Sequence, residues 1–170
     1  MWLTVIVFAA ALAAQEVPAA PPGVSHYTRI DAVFACAGAT DASAFPALAR
    51  EGFHAVINLR TAAEEGADID GARAAAEAAG LRFIHIPFSG ASPDPAVLDR
   101  FLAAVADPAN QPAYIHCHSA NRASAAWLVK RVMIDGWPVA RAVDEAGRLG
   151  LTSDKLRAFA IAYVAAHGRL

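Results

Sequence analysis

Ala113-Tyr114-Ile115-His116-Cys117-His118-Ser119-Ala120-Asn121-Arg122 joins an apolar run of strand length to a short polar loop, with helix-forming residues starting only a few positions after the cysteine. In a strand-loop-helix of this shape the loop amides point inward and the helix presents its positive end, so backbone N–H groups can hold an oxyanion. Arg122 adds a planar, bidentate donor. Helix N-termini and nearby cations also favour thiolate over thiol at a cysteine. The segment therefore predicts a nucleophile at Cys117 and a phosphate cradle made by His118, Ser119, Ala120, Asn121 and Arg122. The plainer alternative makes Cys117 a small buried apolar residue and Arg122 a surface residue of the next helix. The conjunction of apolar strand, His-Cys, polar loop and helix-opening Arg favours the site.

Working outward, short apolar runs alternate with helical stretches, the pattern of strands and crossover helices in an α/β sheet. The strands are expected at Val33–Ala37, His54–Leu59, Leu81–Ile86 and Ala113–Cys117, with helices at Ala42–Arg50 and Gly71–Ala79 between them. Asp94 as N-cap and Pro95 at the first helical position open a helix that runs to about Val105. Three helices follow the last strand: Asn121–Asp135, Pro138–Leu149 and Ser153–His167, each stopped by a glycine. The fold class is therefore a single α/β domain with a mostly parallel four- to five-stranded sheet flanked by helices.

A chain of 170 residues accommodates one such domain and not two comfortable ones. Apolar residues make up 56% and charged residues 18%, much of the apolar share being alanine. The net charge of -2 and the lack of any Lys/Arg run exclude the electrostatic footprint of a nucleic-acid binder. Two cysteines, Cys36 and Cys117, make no disulfide framework, and no C-x-x-C or H-x-x-x-H spacing suggests a metal; no cofactor is expected. Met1–Ala14 is apolar from Trp2 onward and carries Ala11-Leu12-Ala13, a small-x-small cleavage pattern, although no Lys or Arg precedes the apolar run. It reads as a cleavable export signal, with an uncleaved anchor as the alternative, because it is shorter than the ~20 residues of a spanning helix. Residues 15–27, with Pro18, Pro21 and Pro22, read as a linker, and 28–170 as the domain. The expectation is an exported protein, periplasmic or secreted, with no stable membrane insertion after cleavage.

The sequence resembles the protein tyrosine and dual-specificity phosphatase superfamily, and more closely the phosphatase-like domain of beta-lactamase-hydrolase-like bacterial proteins. The resemblance rests on Val33–Gly38, Gly52–Arg60, Ile84–Pro87, His116–Arg122 and Asp135-Gly136-Trp137. It implies a cysteine-phosphatase-like fold, Cys117 as nucleophile and Arg122 as phosphate clamp. It also places Arg60 near the same rim and gives His116 a part in orienting the loop, with plain structural roles as the rivals. Asn58 and His85 read as structural. The implied partner is a phosphorylated small molecule or phosphoprotein. The strand carrying Cys36 would run toward the active-site rim, which makes a reversible Cys36–Cys117 disulfide conceivable.

Three departures from the superfamily pattern stand out. Four residues, not five, separate Cys117 from Arg122, as in the closer bacterial relatives and in the compact loops of many rhodanese-type sulfurtransferases. Ala123 replaces the Ser or Thr that usually follows the arginine, with Ser124 one step further on. Gly90 stands where an aspartic acid is expected, and Asp94, the nearest carboxylate downstream, is either an N-cap or the general acid. Three functions therefore compete: phosphomonoester hydrolysis through a phosphocysteine, sulfur transfer through a persulfide on Cys117, and phosphate binding by a decayed site.

Overall fold

A computed structural model describes residues 19–168. Five strands form one sheet: β1 (Thr28–Arg29), β2 (Phe34–Ala37), β3 (Ala55–Asn58), β4 (Arg82–His85) and β5 (Ala113–His116), in the order β1-β2-β5-β3-β4. β2, β5, β3 and β4 are parallel, and β1 runs antiparallel along the edge, so the sheet is mostly parallel as expected. Each of the four expected strands is a residue or two shorter than its expected run, because ladder pairing stops before the run does, and the two-residue β1 adds to them.

The helices are α1 (Phe45–Arg50), α2 (Ile69–Ala78), α3 (Pro95–Ala106), α4 (Asn121–Met133), α5 (Val139–Arg148) and α6 (Asp154–His167). Ala42–Ala44 is a separate 3-10 turn, with Pro46 in the first turn of α1, so the expected Ala42–Arg50 helix begins later. α2 starts at Ile69 rather than Gly71, because the Asp68 side chain accepts from the Gly71 amide. Ser153 caps α6 by accepting from the Leu156 amide.

Alternation along β5 divides the core. Tyr114 faces the side of the sheet packed by Phe45 and Leu48 of α1 and Ala76 of α2, whereas Ile115 and Cys117 face the cluster built on α3, α4, α5 and α6. On that second side Trp127 of α4 is fully buried against Phe34, ring centroids 5.0 Å apart, and its indole N–H donates to Glu145 Oε2 at 2.9 Å. Burial of an indole this size, with its one donor satisfied, fixes how α4 lies on the sheet. The strand and helix flanking the cysteine loop are thus both held in the core.

The linker expectation for 15–27 needs correction where the chain is described. Pro21 is buried, the Ser25 amide donates to the Ala39 carbonyl at 2.9 Å, the Gly38 amide donates to Ser25 at 2.7 Å, and Val24 bridges Thr40. Backbone pairing of this kind is indifferent to side-chain pattern, so a proline-rich stretch conceals it. The export signal and its cleavage site lie outside the described residues. No described helix is long and apolar enough to cross a membrane.

Candidate active site

At the end of β5 the chain turns sharply into α4. Ala120 takes a left-handed conformation (φ 63°, ψ -17°) that few non-glycine residues adopt, and no side chain caps the helix. The Ser124 amide bonds the Ala120 carbonyl at 2.8 Å. Before it, none of the six backbone N–H groups from His118 to Ala123 has an acceptor among the described residues. Cys117, Ala120 and Ala123 are fully buried. His118 and Ser119 are exposed, and a run of unpaired donors around one turn at a helix N-terminus is a backbone arrangement that can hold an anion.

The neighbours of this loop fit it closely. A Cβ added at Gly38, at the end of β2, would lie 2.6 Å from Ser25 Oγ and 3.0 Å from the His118 carbonyl, so only glycine lets that strand end pass under the loop. Asn121 Oδ1 accepts from the amides of Thr152 and Ser153, both at 2.8 Å, and so ties the loop to the cap of α6.

Arg122 is the most heavily bonded side chain of the site. Its Nη1 and Nη2 donate to Glu64 Oε1 and Oε2 at 2.6 and 2.8 Å, and Nη1 also donates to the carbonyls of Phe88 and Leu59 at 2.8 and 3.3 Å. Burial opposes the charge of the guanidinium, but the bonds and charge of Glu64, helped by neighbouring Cys117, outweigh it and raise its pKa. Glu64 is burdened by burial too, yet the bonds from Arg122 and from the Thr61 amide hold its carboxyl down to about 2. With the Nη1–Nη2 edge occupied, Glu64 sets the orientation of the guanidinium toward the loop. Glu64 is itself held by a local turn, accepting from the Thr61 amide at 2.7 Å while its own amide donates to the Thr61 carbonyl at 3.2 Å. The Thr61-x-x-Glu64 spacing of a capping box is the sequence signal from which this residue could have been singled out.

A cleft of about 570 Å³ is lined by His118, Ser119, Asn121 and Arg122 of the loop together with Thr61, Glu64, Glu65, Ser89, Gly90 and Ala91. Ser153 and Leu156 complete its wall. Cys117 lies beneath the loop with no exposed surface. Contact between its sulfur and a ligand therefore requires a small parting of the loop.

Other expected residues sit elsewhere. Arg60 is buried behind the cleft rather than on its rim, donating to the carbonyls of Glu65 and Gly66 at 2.6 and 3.2 Å, and so fixes the turn that delivers Glu64. His116 is fully enclosed beside Arg60 on a separate cavity of about 150 Å³, stacked on Tyr114; burial pushes its pKa down to about 4 and keeps it neutral. Ser124 is buried and donates to the Leu149 carbonyl at 3.0 Å, a contact that holds α4 to the end of α5. Asp94 is exposed, caps α3 by accepting from Ala96 at 3.0 Å, and does not line the cleft. Asn58 and His85 brace Arg60 through its amide and carbonyl, each at 2.8 Å.

Cys36 pairs with Ile115 in the β2–β5 ladder, two residues short of Cys117. Same-face neighbours on such a diagonal lie about 7–8 Å apart, at or beyond the reach of a disulfide. Both thiols are free. Burial pushes the Cys36 thiol well up, so it rests protonated.

A family profile for the phosphatase-like domain of beta-lactamase hydrolase-like proteins matches residues 26–133, more than half of the chain. The chain belongs to that family. Solved structures share its fold. A DUF442 protein of Shewanella putrefaciens CN-32 superposes with a TM-score of 0.73 at 21% identity, covering 86% of this chain and 94% of its own. TpbA of P. aeruginosa gives 0.66 at 22%, covering 88% and 89%, and the catalytic core of the PP-IP phosphatase SIW14 of S. cerevisiae gives 0.67 at 20%, covering 85% and 87%. TpbA has been solved with phosphotyrosine and the SIW14 core with citrate. No curated protein matches the chain in sequence. The expectation of a beta-lactamase-hydrolase-like phosphatase domain and the mostly parallel α/β architecture both hold.

Proposed function

We propose that this protein is a metal-independent phosphomonoester hydrolase acting through Cys117. The observation that carries the reading is the run of unpaired N–H groups from His118 to Ala123 wrapped around Cys117 and closed by a charged, oriented Arg122. Three equatorial phosphoryl oxygens need several convergent donors, and a backbone nest with a guanidinium supplies them. Cys117 thiolate attacks phosphorus in line, the S–P bond forms as the P–O bond breaks, and water then releases phosphate from the phosphocysteine. That TpbA accommodates phosphotyrosine supports a phosphorylated partner, whether small molecule or phosphoprotein.

Two observations favour a second reading, that of an anion-binding module. Cys117 has no exposed surface, and the cleft segment Ser89-Gly90-Ala91 carries no acid. A paired assay separates the readings. The mature domain is given an aryl phosphate and, separately, thiosulfate, each beside Cys117→Ser. Phosphate release abolished by the substitution is the expected result. Cyanide-reactive sulfur on Cys117 without phosphate release would assign the persulfide chemistry instead, and saturable phosphate binding with neither activity would leave the module. We further propose that the protein works after export, the Met1–Ala14 leader being removed. Mass spectrometry of the native protein should find its N-terminus near Ala14 or Gln15, and an intact Met1 in a cytosolic fraction would refute this.

A further inference from the structure

Given the phosphatase reading, on which this inference rests, the leaving oxygen needs a proton, and a positioned acid typically contributes 10²–10⁴-fold. Ser89, Gly90 and Ala91 have no acid to offer, and Asp94 is turned away as a helix cap. Three cleft residues carry groups suited to the transfer: Glu64, Glu65 and His118. Glu64 is locked as a carboxylate by both Arg122 nitrogens and the Thr61 amide. His118 also lines the cleft, from the loop itself, and is the rival that the test below separates.

We propose that Glu65 is the general acid of this site. It lines the same cleft as the loop and is exposed, its carboxylate makes no hydrogen bond or ion pair among the described residues, and its backbone carbonyl is pinned by Arg60 Nη2 at 2.6 Å. A fixed backbone with a free carboxyl is what a residue needs to meet leaving groups of different size. The charged or titratable groups around it are Glu64, Arg122 and His118 in the cleft, Arg60 behind it and Lys155, which bonds the Ala91 carbonyl from α6. In the first step Sγ–P forms, P–O breaks, and the Glu65 proton passes to the departing alkoxide or phenoxide. In the second, Glu65 carboxylate takes a proton from the attacking water as S–P breaks, which restores both thiolate and acid.

The test is the dependence of rate on leaving group, in wild type, Glu65→Gln and His118→Gln, from 2,4-dinitrophenyl phosphate to phenyl phosphate. In Glu65→Gln the loss should grow from a few-fold on the dinitrophenyl ester to ~10²-fold or more on the phenyl ester. Phosphate affinity, read by calorimetry, should stay at the wild-type value and so show the cleft intact. An unchanged leaving-group slope in Glu65→Gln, or the same steepening in His118→Gln alone, would overturn the assignment while wild-type turnover upholds the phosphatase reading. Absence of Cys117-dependent turnover in wild type on every ester would overturn both.

Discussion

The Cys117–Arg122 loop and the Phe88–Ala91 segment border one cleft and are built to opposite standards. The loop is positioned from every side: Gly38 beneath His118, Asn121 tied to Thr152 and Ser153, and Glu64 on Arg122. The second segment contributes one carbonyl to Arg122, from Phe88, and a lining of Ser89, Gly90 and Ala91 without charge. The contrast teaches that oxyanion capture and proton delivery are separable properties of such a site. The first resides in backbone geometry that one strand-loop-helix can supply, and the second in a single side chain that can be relocated.

The comparison breaks most completely if the loop is damaged. Arg122→Lys keeps the charge but loses the planar fork, so kcat/KM on an aryl phosphate should fall by at least ~10³-fold. Gly38→Ala is the next test, because a Cβ there must displace the His118 carbonyl or Ser25. A displacement of this kind far from the chemistry can cost ~10²-fold, and kcat should fall while the domain stays folded by circular dichroism.

Sharpening the other half means adding what the second segment lacks. The nearest atom to a Cβ at Gly90 is Arg122 Cδ at 4.0 Å, so a side chain fits there. In a Glu65→Gln background, Gly90→Asp should recover ~10-fold or more of the turnover of phenyl phosphate. No recovery would mean that position 90 does not overlook the leaving group.

Smaller effects fall on stability. Ala120→Gly relieves a left-handed alanine and should raise stability by about 1 kcal/mol, a few degrees in Tm. His116 is held neutral by burial, its folded pKa of about 4 lying below the usual 6.5. Its unfolded form therefore binds the proton first, so its contribution is complete above about 6.5 and is lost as pH falls toward about 4. Denaturant midpoints across that window should slope downward, and His116→Gln should flatten the slope.

Much of the site was legible because strand, loop and helix signals coincide in Ala113–Arg122, and because Asp94-Pro95 marks a helix start wherever it falls. What stayed hidden depends on long-range placement. Arg60 reads as a rim residue until the turn after it folds back over its guanidinium, and Glu64 reads as one of several acids until 58 residues further along Arg122 closes on it. The docking of Pro21–Tyr27 beside Gly38 is carried by backbone bonds that leave no side-chain pattern. Among the described residues, no cluster of three or more His, Cys, Asp and Glu side chains could hold a metal.

The central claim is that the nest around Cys117 binds a phosphoryl oxyanion through its own amides. Titration of ¹⁵N-labelled protein with inorganic phosphate, read by amide chemical shifts, tests it most directly. The account predicts that the N–H signals of His118 to Ala123 shift together along one saturating curve, and that Arg122→Lys weakens that curve without moving it elsewhere. Phosphate-dependent shifts that leave these six amides unmoved would contradict it.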